Sequence, residues 1–364
     1  MKATIIDAHG VSTSLSGGDL AVALPRTGFF WLDMTSATAD EIAALASALR
    51  LDDALSVWLP RFGQSARIEA SPQYIRLSTW ADAGTRGVVE GHLLFSPLWL
   101  ISVFDEGVSR MDEARNRFRG IAAMIAAHPG YALVIVLNEL VTSFYPRLER
   151  ADATLDKLEE QIFLNPVAEQ LLSLADLRKE LSSLHRLLVP LRDSMKTLVT
   201  SIGGIPGVST EVAPWFQICS ERLVDLVDLI DDYRQRTTEA MEGYAASISN
   251  RQSEQISRLT VISWVFLPIT FLTGYFGMNF DWAVNGFLAT RDAFFLLGVG
   301  LPLLSLALTL LWFKSLGWAG TWRRKKLQAA SVGRRGLGAT DTAGPDRKAA
   351  GGRSAPTEPP GGSG

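Results

Sequence analysis

Residues 259–279 read LTVISWVFLPITFLTGYFGMN, a run with no charged side chain between Arg258 and Asp281. A second run, residues 293–313, reads AFFLLGVGLPLLSLALTLLWF and lies between Asp292 and Lys314. Each is 21 residues long, close to the ~20 that a helix needs to cross an apolar core of ~30 Å. Pro268 and Pro302 fall inside the runs, which membrane helices tolerate when neighbours satisfy the freed backbone groups. Two membrane spans at the C-terminal end therefore decide the fold class. They also account for a mean hydropathy of +0.15 in a chain of 364 residues with 47% hydrophobic and 20% charged side chains.

Lys and Arg set the expected orientation. Arg251 and Arg258 precede the first run, Lys314 and Arg323, Arg324, Lys325 and Lys326 follow the second, and the connecting loop 280–292 holds only Arg291. The positive-inside rule puts both termini in the cytoplasm and the loop outside. Trp282 on one side and Trp312, Trp318 and Trp322 on the other suit the two interfaces. The N-terminal MKATIIDAHG has no long apolar region, so no signal peptide is expected there.

Charge and composition narrow the function. The tail from Lys314 carries ten basic and three acidic residues, so the remainder carries −10 of the net −3. An acidic body with a basic tail lacks the basic stripe of a nucleic-acid binder. The tail from about residue 329, rich in Gly, Pro, Ala and Arg, reads as disordered, and its basic part suits anionic lipid. One cysteine, Cys219, excludes an intrachain disulfide, and four histidines without ligand spacing (His9, His92, His128, His185) give no Cys/His metal cluster. No Walker A loop and no Gly-x-Ser-x-Gly nucleophile motif are present, which argues against ATP-driven transport and against an enzyme. No cofactor is expected.

Ahead of the spans, residues 1–108 read as a cytoplasmic α/β domain. Strand-like runs fall at 3–7, 20–24, 29–34, 67–70, 74–79, 88–95 and 98–104. Thr38-Ala39-Asp40-Glu41 has capping-box spacing before an apolar helix. Residues 109–210 read as helical. Stripes at steps of three and four run from Leu137 to Ile162 and from Leu174 to Leu198, with kinks expected at Pro146 and Pro190. Residues 202–207, IGGIPG, read as a turn. After Pro214 no proline appears before Pro268, and Gly243 is the one glycine between them, so a stalk helix is predicted to run unbroken from about 211 into the span ending at 279. A rod of that length cannot bury itself in one small domain and implies a bundle or an oligomeric stalk.

The rod carries a stripe at heptad steps: Gly274, Thr270, Leu267, Ser263, Thr260, Ile256, Ser253, Ser249, Ala246, Glu242, Glu239. It is small and hydroxyl-rich with acids at its cytoplasmic end. Trp264, Val265, Phe266, Ile269, Phe271 and Leu272 lie on other faces, suited to lipid or a second helix. Tight helix packing and a water-filled pore both fit such a stripe.

At the outer end stands Tyr275-Phe276-Gly277-Met278-Asn279. Gly-Met-Asn closing the first of two C-terminal spans, after a long helix and a large cytoplasmic domain, resembles the CorA family of divalent-cation channels. The segments Leu267-Pro268-Ile269-Thr270-Phe271 and Pro190-Leu191-Arg192-Asp193 resemble family segments too, and the likeness covers about residues 1–325. The resemblance implies a homopentameric funnel in the inner (plasma) membrane, with the long helices lining a central pore, and Mg²⁺, with Co²⁺ or Ni²⁺, as the ion. In that reading Gly277, Met278 and Asn279 form the selectivity motif. Gly277 permits close backbone approach, Met278 supports by packing, and the Asn279 amide oxygen meets the hydrated ion. Gly274, Thr270, Leu267, Ser263, Thr260, Leu259, Ile256, Ser253 and Ser249 line the pore, with Ile256, Leu259 and Leu267 as hydrophobic constrictions. Glu239 and Glu242 concentrate cations at the inner mouth. Of the region 215–221, only Glu221 offers itself as a cytoplasmic sensing carboxylate. Two departures stand out: Phe276 before the glycine where the family often has Tyr, and a loop with Asp281 as its one early acid. They leave open a ZntB-like branch handling Zn²⁺. A non-transporting membrane scaffold or sensor is the further alternative.

Overall fold

The computed structural model describes residues 2–15, 20–278, 285–286 and 290–315. Asn279, Trp282, most of the loop 280–292 and the tail from 316 lie outside these. Two units divide at Arg251 and Gln252.

The first unit opens with β1 (Lys2–Asp7), β2 (Ser12–Leu15), α1 (Leu20–Ala23), β3 (Phe30–Thr35), α2 (Ala39–Leu49), α3 (Asp53–Trp58), β4 (Arg67–Ala70), β5 (Ile75–Asp82), β6 (Val88–Phe95) and β7 (Trp99–Phe104). The strands form one sheet in the order β2-β1-β3-β7-β6-β5-β4. All neighbours are antiparallel except β3 and β7, which run parallel with Leu32 opposite Ile101. Alternate side chains point to opposite faces. Trp31, Leu93 and Phe95 enter one core, while Phe30, Leu32, Met34 and Leu94 enter another under α2 and α3. Covered on both faces, these strands read as nearly continuous apolar runs.

Two expectations change. Residues 20–23, LAVA, form a helical turn rather than a strand, because a four-residue apolar run has no period to separate the two. The edge strand STSL, with no apolar alternation, pairs with β1 through Ala3 opposite Leu15. The capping box forms as read: Thr38 Oγ1 accepts from the Glu41 N–H at 3.3 Å, and Glu41 accepts from the Thr38 N–H at 2.8 Å.

Helices follow: α4 (Arg110–Gly120), α5 (Ala122–Ala127), α6 (Gly130–Thr142), α7 (Tyr145–Leu164), α8 (Ala168–Thr200) and α9 (Ala213–Phe276). The stripe from Leu137 to Ile162 is shared between α6 and α7. The break falls at Ser143 and Phe144, just ahead of Pro146 in the first turn of α7, where a proline costs nothing. Pro190 sits inside an unbroken α8. In the second unit α9 ends, and α10 (Arg291–Ala293), a π-helical stretch Phe294–Gly300 and α11 (Leu301–Ser315) follow. Among the described residues, two helices are long and apolar enough to cross a membrane, within Ala213–Tyr275 and Phe295–Trp312.

Candidate functional site

The long helix has two unlike sides in the soluble unit. Leu223, Leu226, Val227, Ile230, Thr237 and Ala240 are buried, at the three-and-four spacing of one helix face. The other side is held outward by charge. Arg236 pairs with Asp152 at 2.7 Å, Asp156 at 2.8 Å and Glu159 at 3.0 Å. These three acids on α7 keep its guanidinium firmly protonated, the Asp156 bond chief among the causes. The network fixes the rotation of α9 against α7, as several charged hydrogen bonds on one fork can.

Glu239 and Glu242 are exposed, and Glu239 accepts from Gln235 at 2.9 Å. Stepping back by threes and fours on the same face gives Asp232, Asp228, Asp225 and Glu221, all exposed. The acidic run is therefore longer than the two glutamates singled out above. Its spacing was visible in the sequence, but so was an ordinary solvated helix face. What separates them is burial on the opposite side, which only packing supplies.

Ser249, Ser253, Ile256, Thr260, Ser263, Leu267, Thr270 and Gly274 are all exposed in the single chain, as is Leu259 beside them. Half-buried positions of α9 form a different set: Val261, Val265, Pro268, Ile269 and Leu272. At ~100° per residue these centre on the side of the helix away from the hydroxyl stripe. Trp264, bordering that half-buried side, meets Trp312 of α11 with ring centroids 5.3 Å apart. On α11 the half-buried positions Pro302, Ser305 and Thr309 share the face of Trp312. The second apolar helix thus covers a side of the first that leaves the hydroxyl stripe free.

The stripe hydroxyls have a defined polarity. Thr260 donates to the Ile256 carbonyl at 2.8 Å, Ser263 to Leu259 at 3.0 Å and Thr270 to Phe266 at 2.8 Å. Each O–H is spent on its own helix, which lowers the cost of placing it in a bilayer. Each oxygen keeps lone pairs, so the face offers acceptors. Cation-bound water, whose exposed hydrogens are donors, is the chemical complement of such a face.

At the C-terminal end of α9 the Gly277 N–H donates to the Thr273 carbonyl at 2.9 Å and the Met278 N–H to the Tyr275 carbonyl at 3.3 Å. A Cβ at Gly277 would stand 3.0 Å from the Thr273 carbonyl oxygen, tighter than most side chains come, so any larger residue there would have to displace that carbonyl by a few tenths of an ångström. Met278 is 43% exposed. Among the described residues, no group of three His, Cys, Asp or Glu side chains gathers into a metal site within one chain. Cys219 is buried and its thiol is pushed up to about 12 by desolvation, which leaves it inert.

Residues 26–315 match the family model described as CorA-like Mg²⁺ transporter protein. The chain is 27% identical over 184 residues to the Cobalt/magnesium transport protein CorA of Thermotoga maritima, covering 50% of this chain and 52% of that one. It is 26% identical over 204 residues to the Zinc transport protein ZntB of Yersinia pseudotuberculosis, 50% of this chain and 60% of that one. These matches span little more than half the length of either relative. The fold is similar to that of the complete CorA magnesium transporter from Methanocaldococcus jannaschii, with a TM-score of 0.70 at 18% identity, over 87% of this chain and 99% of that one.

Proposed function

Since this chain belongs to the CorA-like Mg²⁺ transporter family, a family of transporters rather than enzymes, we propose that it moves hydrated divalent cations through a pore on the axis of a homopentamer. The pore lies in the inner membrane, with both termini cytoplasmic. The observation that carries this reading is the free, acceptor-bearing hydroxyl stripe of α9, on a side the second apolar helix does not cover.

An ion arriving from outside first meets a ring of Asn279 amide oxygens. Mg²⁺ sheds water reluctantly, so a neutral ring works by accepting hydrogen bonds from the first hydration shell. Neutral oxygens hold the ion weakly enough for it to leave. Gly277 lets the chain turn closely enough to form the ring, and Met278 packs behind it. Thr270, Ser263 and Thr260 then accept from the same water shell in succession. Leu267, Leu259 and Ile256 narrow the path with apolar collars that close by expelling water. Below them Glu242 and Glu239, continued by Asp232, Asp228, Asp225 and Glu221, raise the local cation concentration. No step requires covalent chemistry or a bound cofactor.

Mg²⁺, with Co²⁺ and Ni²⁺, is the cargo favoured by the amide collar. A second reading, Zn²⁺ transport, is favoured by the likeness to ZntB. Flux into liposomes with Mg²⁺, Co²⁺ and Zn²⁺ in competition tests both. Preference for Mg²⁺ or Co²⁺ supports the first, preference for Zn²⁺ the second, and no flux of any of them returns the chain to a membrane scaffold or sensor.

A further inference from the structure

Within the first unit, α4, α5, α6 and α9 enclose a cavity of about 560 Å³, inside the roughly 300–1,000 Å³ range of small-molecule sites. Its walls are apolar: Ile121 and Met124 at the α4–α5 junction, Val134 and Ile135 of α6, Trp215 and Ile218 of α9. Three of these keep much of their surface in solvent, Trp215 at 50%, Met124 at 46% and Ile218 at 41%. Large apolar groups left open around one cavity mark a place where something binds.

One end of the cavity is cationic. Arg117, Asn138 and Arg222 line it there, and none of its lining residues is acidic. Both guanidiniums are held from α6. Buried Glu139 takes Arg117 through Nε at 3.1 Å, and Asn138 Oδ1 accepts from Nη1 of Arg222. Arg117 thus keeps its two terminal nitrogens, and Arg222 its Nε and Nη2, to donate elsewhere. At the other end Tyr131 and Trp215 meet edge to face, with ring centroids 6.3 Å apart. Tyr131 lies seven residues before Asn138, and Trp215 seven before Arg222. α6 and α9 therefore run side by side in one sense, with about 10 Å of apolar slot between the two contacts.

We propose that this slot binds a free aliphatic carboxylate of medium chain length, with its carboxylate on Arg117 and Arg222 and its tail running past Ile218 towards Trp215. A planar carboxylate matches the two-nitrogen edge that a guanidinium fork presents. A flexible apolar tail matches walls of Ile, Val and Met. A nucleotide or free phosphate would leave those walls wet, and an uncharged tail would leave two guanidiniums without an anion. Bound there, the ligand bridges the α4–α5 junction, α6 and the first turns of α9, and so fastens the head of the long helix to the bundle. Every residue of the site belongs to the first unit, and the site stands whether or not the hydroxyl stripe lines a pore.

The test uses the full chain in phosphatidylcholine nanodiscs, irradiated with decanoic acid that carries a diazirine near its methyl end and then mapped by peptide mass spectrometry. Label is expected on the peptides holding Tyr131 and Trp215, displaced by excess decanoate and not by decanol, which has the tail without the charge. Arg222→Gln and Ile218→Glu should each lower that label by roughly tenfold, the scale of one lost charged hydrogen bond, with melting temperature and elution as in the parent. Arg117 stays in place, because its removal would strand the buried Glu139. Label confined to residues 259–313 overturns the site, since the acid then only partitions into the bilayer. Displacement by decanol as readily as by decanoate overturns the carboxylate contact, as does label unchanged in Arg222→Gln. No label at 131 or 215 overturns the proposal as well and assigns the cavity to water or to a neighbouring copy.

Discussion

The indole rings of Trp264 and Trp312 lie 5.3 Å apart, inclined at 41°. This contact relates the first apolar helix to the second. It draws α11 to one side of α9, so that Thr260, Ser263 and Thr270 are left on a side it does not occupy. Replacing Trp264 with Ala should remove an aromatic pair of ~0.5–1.5 kcal/mol and lower the melting temperature of the detergent-solubilised protein. Ser263→Ala should leave that temperature unchanged, and an equal drop in both variants would contradict this division of faces.

Ser263→Leu and Thr270→Leu insert branched apolar groups on the acceptor face. Each is expected to reduce divalent-cation flux into liposomes by at least about tenfold, the equivalent of ~1.4 kcal/mol on the barrier, with oligomer elution unchanged. Bulk added off the stripe, as in Phe266→Trp, should leave flux near that of the parent. Undiminished flux in both Leu variants would show that the stripe does not line the path.

Asn279→Ala would remove the amide oxygens of the proposed collar. Uptake is expected to be abolished while the oligomer still assembles, as read by uptake assays and crosslinking on the same membranes. Gly277→Ala should impair uptake as well, because its Cβ would crowd the Thr273 carbonyl.

An oligomer that brings Glu221, Asp225, Asp228 and Asp232 of each copy around one axis gathers like charges that divalent cations relieve. Chelating Mg²⁺ from the purified protein should therefore loosen the cytoplasmic assembly and speed proteolysis within residues 1–251. Unchanged cleavage would remove cations from that role.

Glu90 provides a pH test of the soluble fold. Burial acts to raise its carboxyl, but the His92 ring and the backbone N–H groups of Gly63 and Gln64 outweigh it and hold the group below its ordinary 4.5. A depressed carboxylate contributes stability that is complete above its unfolded value and is lost as pH falls through the folded one. Glu90→Gln should cost ~1–3 kcal/mol in urea unfolding at neutral pH. The gap to the parent should close as the solution is acidified below about pH 4.5. Trp58, stacked on His92 with centroids 4.4 Å apart, supplies the fluorescence signal. A gap that persists in acid would separate Glu90 from the effect.

Much of the fold was legible because its signals are local and periodic. A 21-residue charge-free run needs no partner to be read, nor does the Thr38–Glu41 box or the heptad stripe of α9. Short elements were harder. LAVA became a helical turn and STSL an edge strand, since four residues carry too little pattern to outweigh tertiary context. For the candidate site, spacing alone nominated Thr260, Ser263 and Thr270, yet it could not extend the acidic face back through Asp232, Asp228 and Asp225, because exposed charges at helical steps are commonplace.

By itself the sequence determined that the chain has two apolar segments of membrane-spanning length, a long helix leading into the first, and hydroxyls and acids on a single stripe. Those are consequences of composition and period, which are properties of the chain taken one segment at a time. Only the tertiary structure decided how that stripe is turned. Arg236 gripping three acids of α7 and Trp264 meeting Trp312 each bury or cover one side of α9. A helix has no inside or outside until something packs against it.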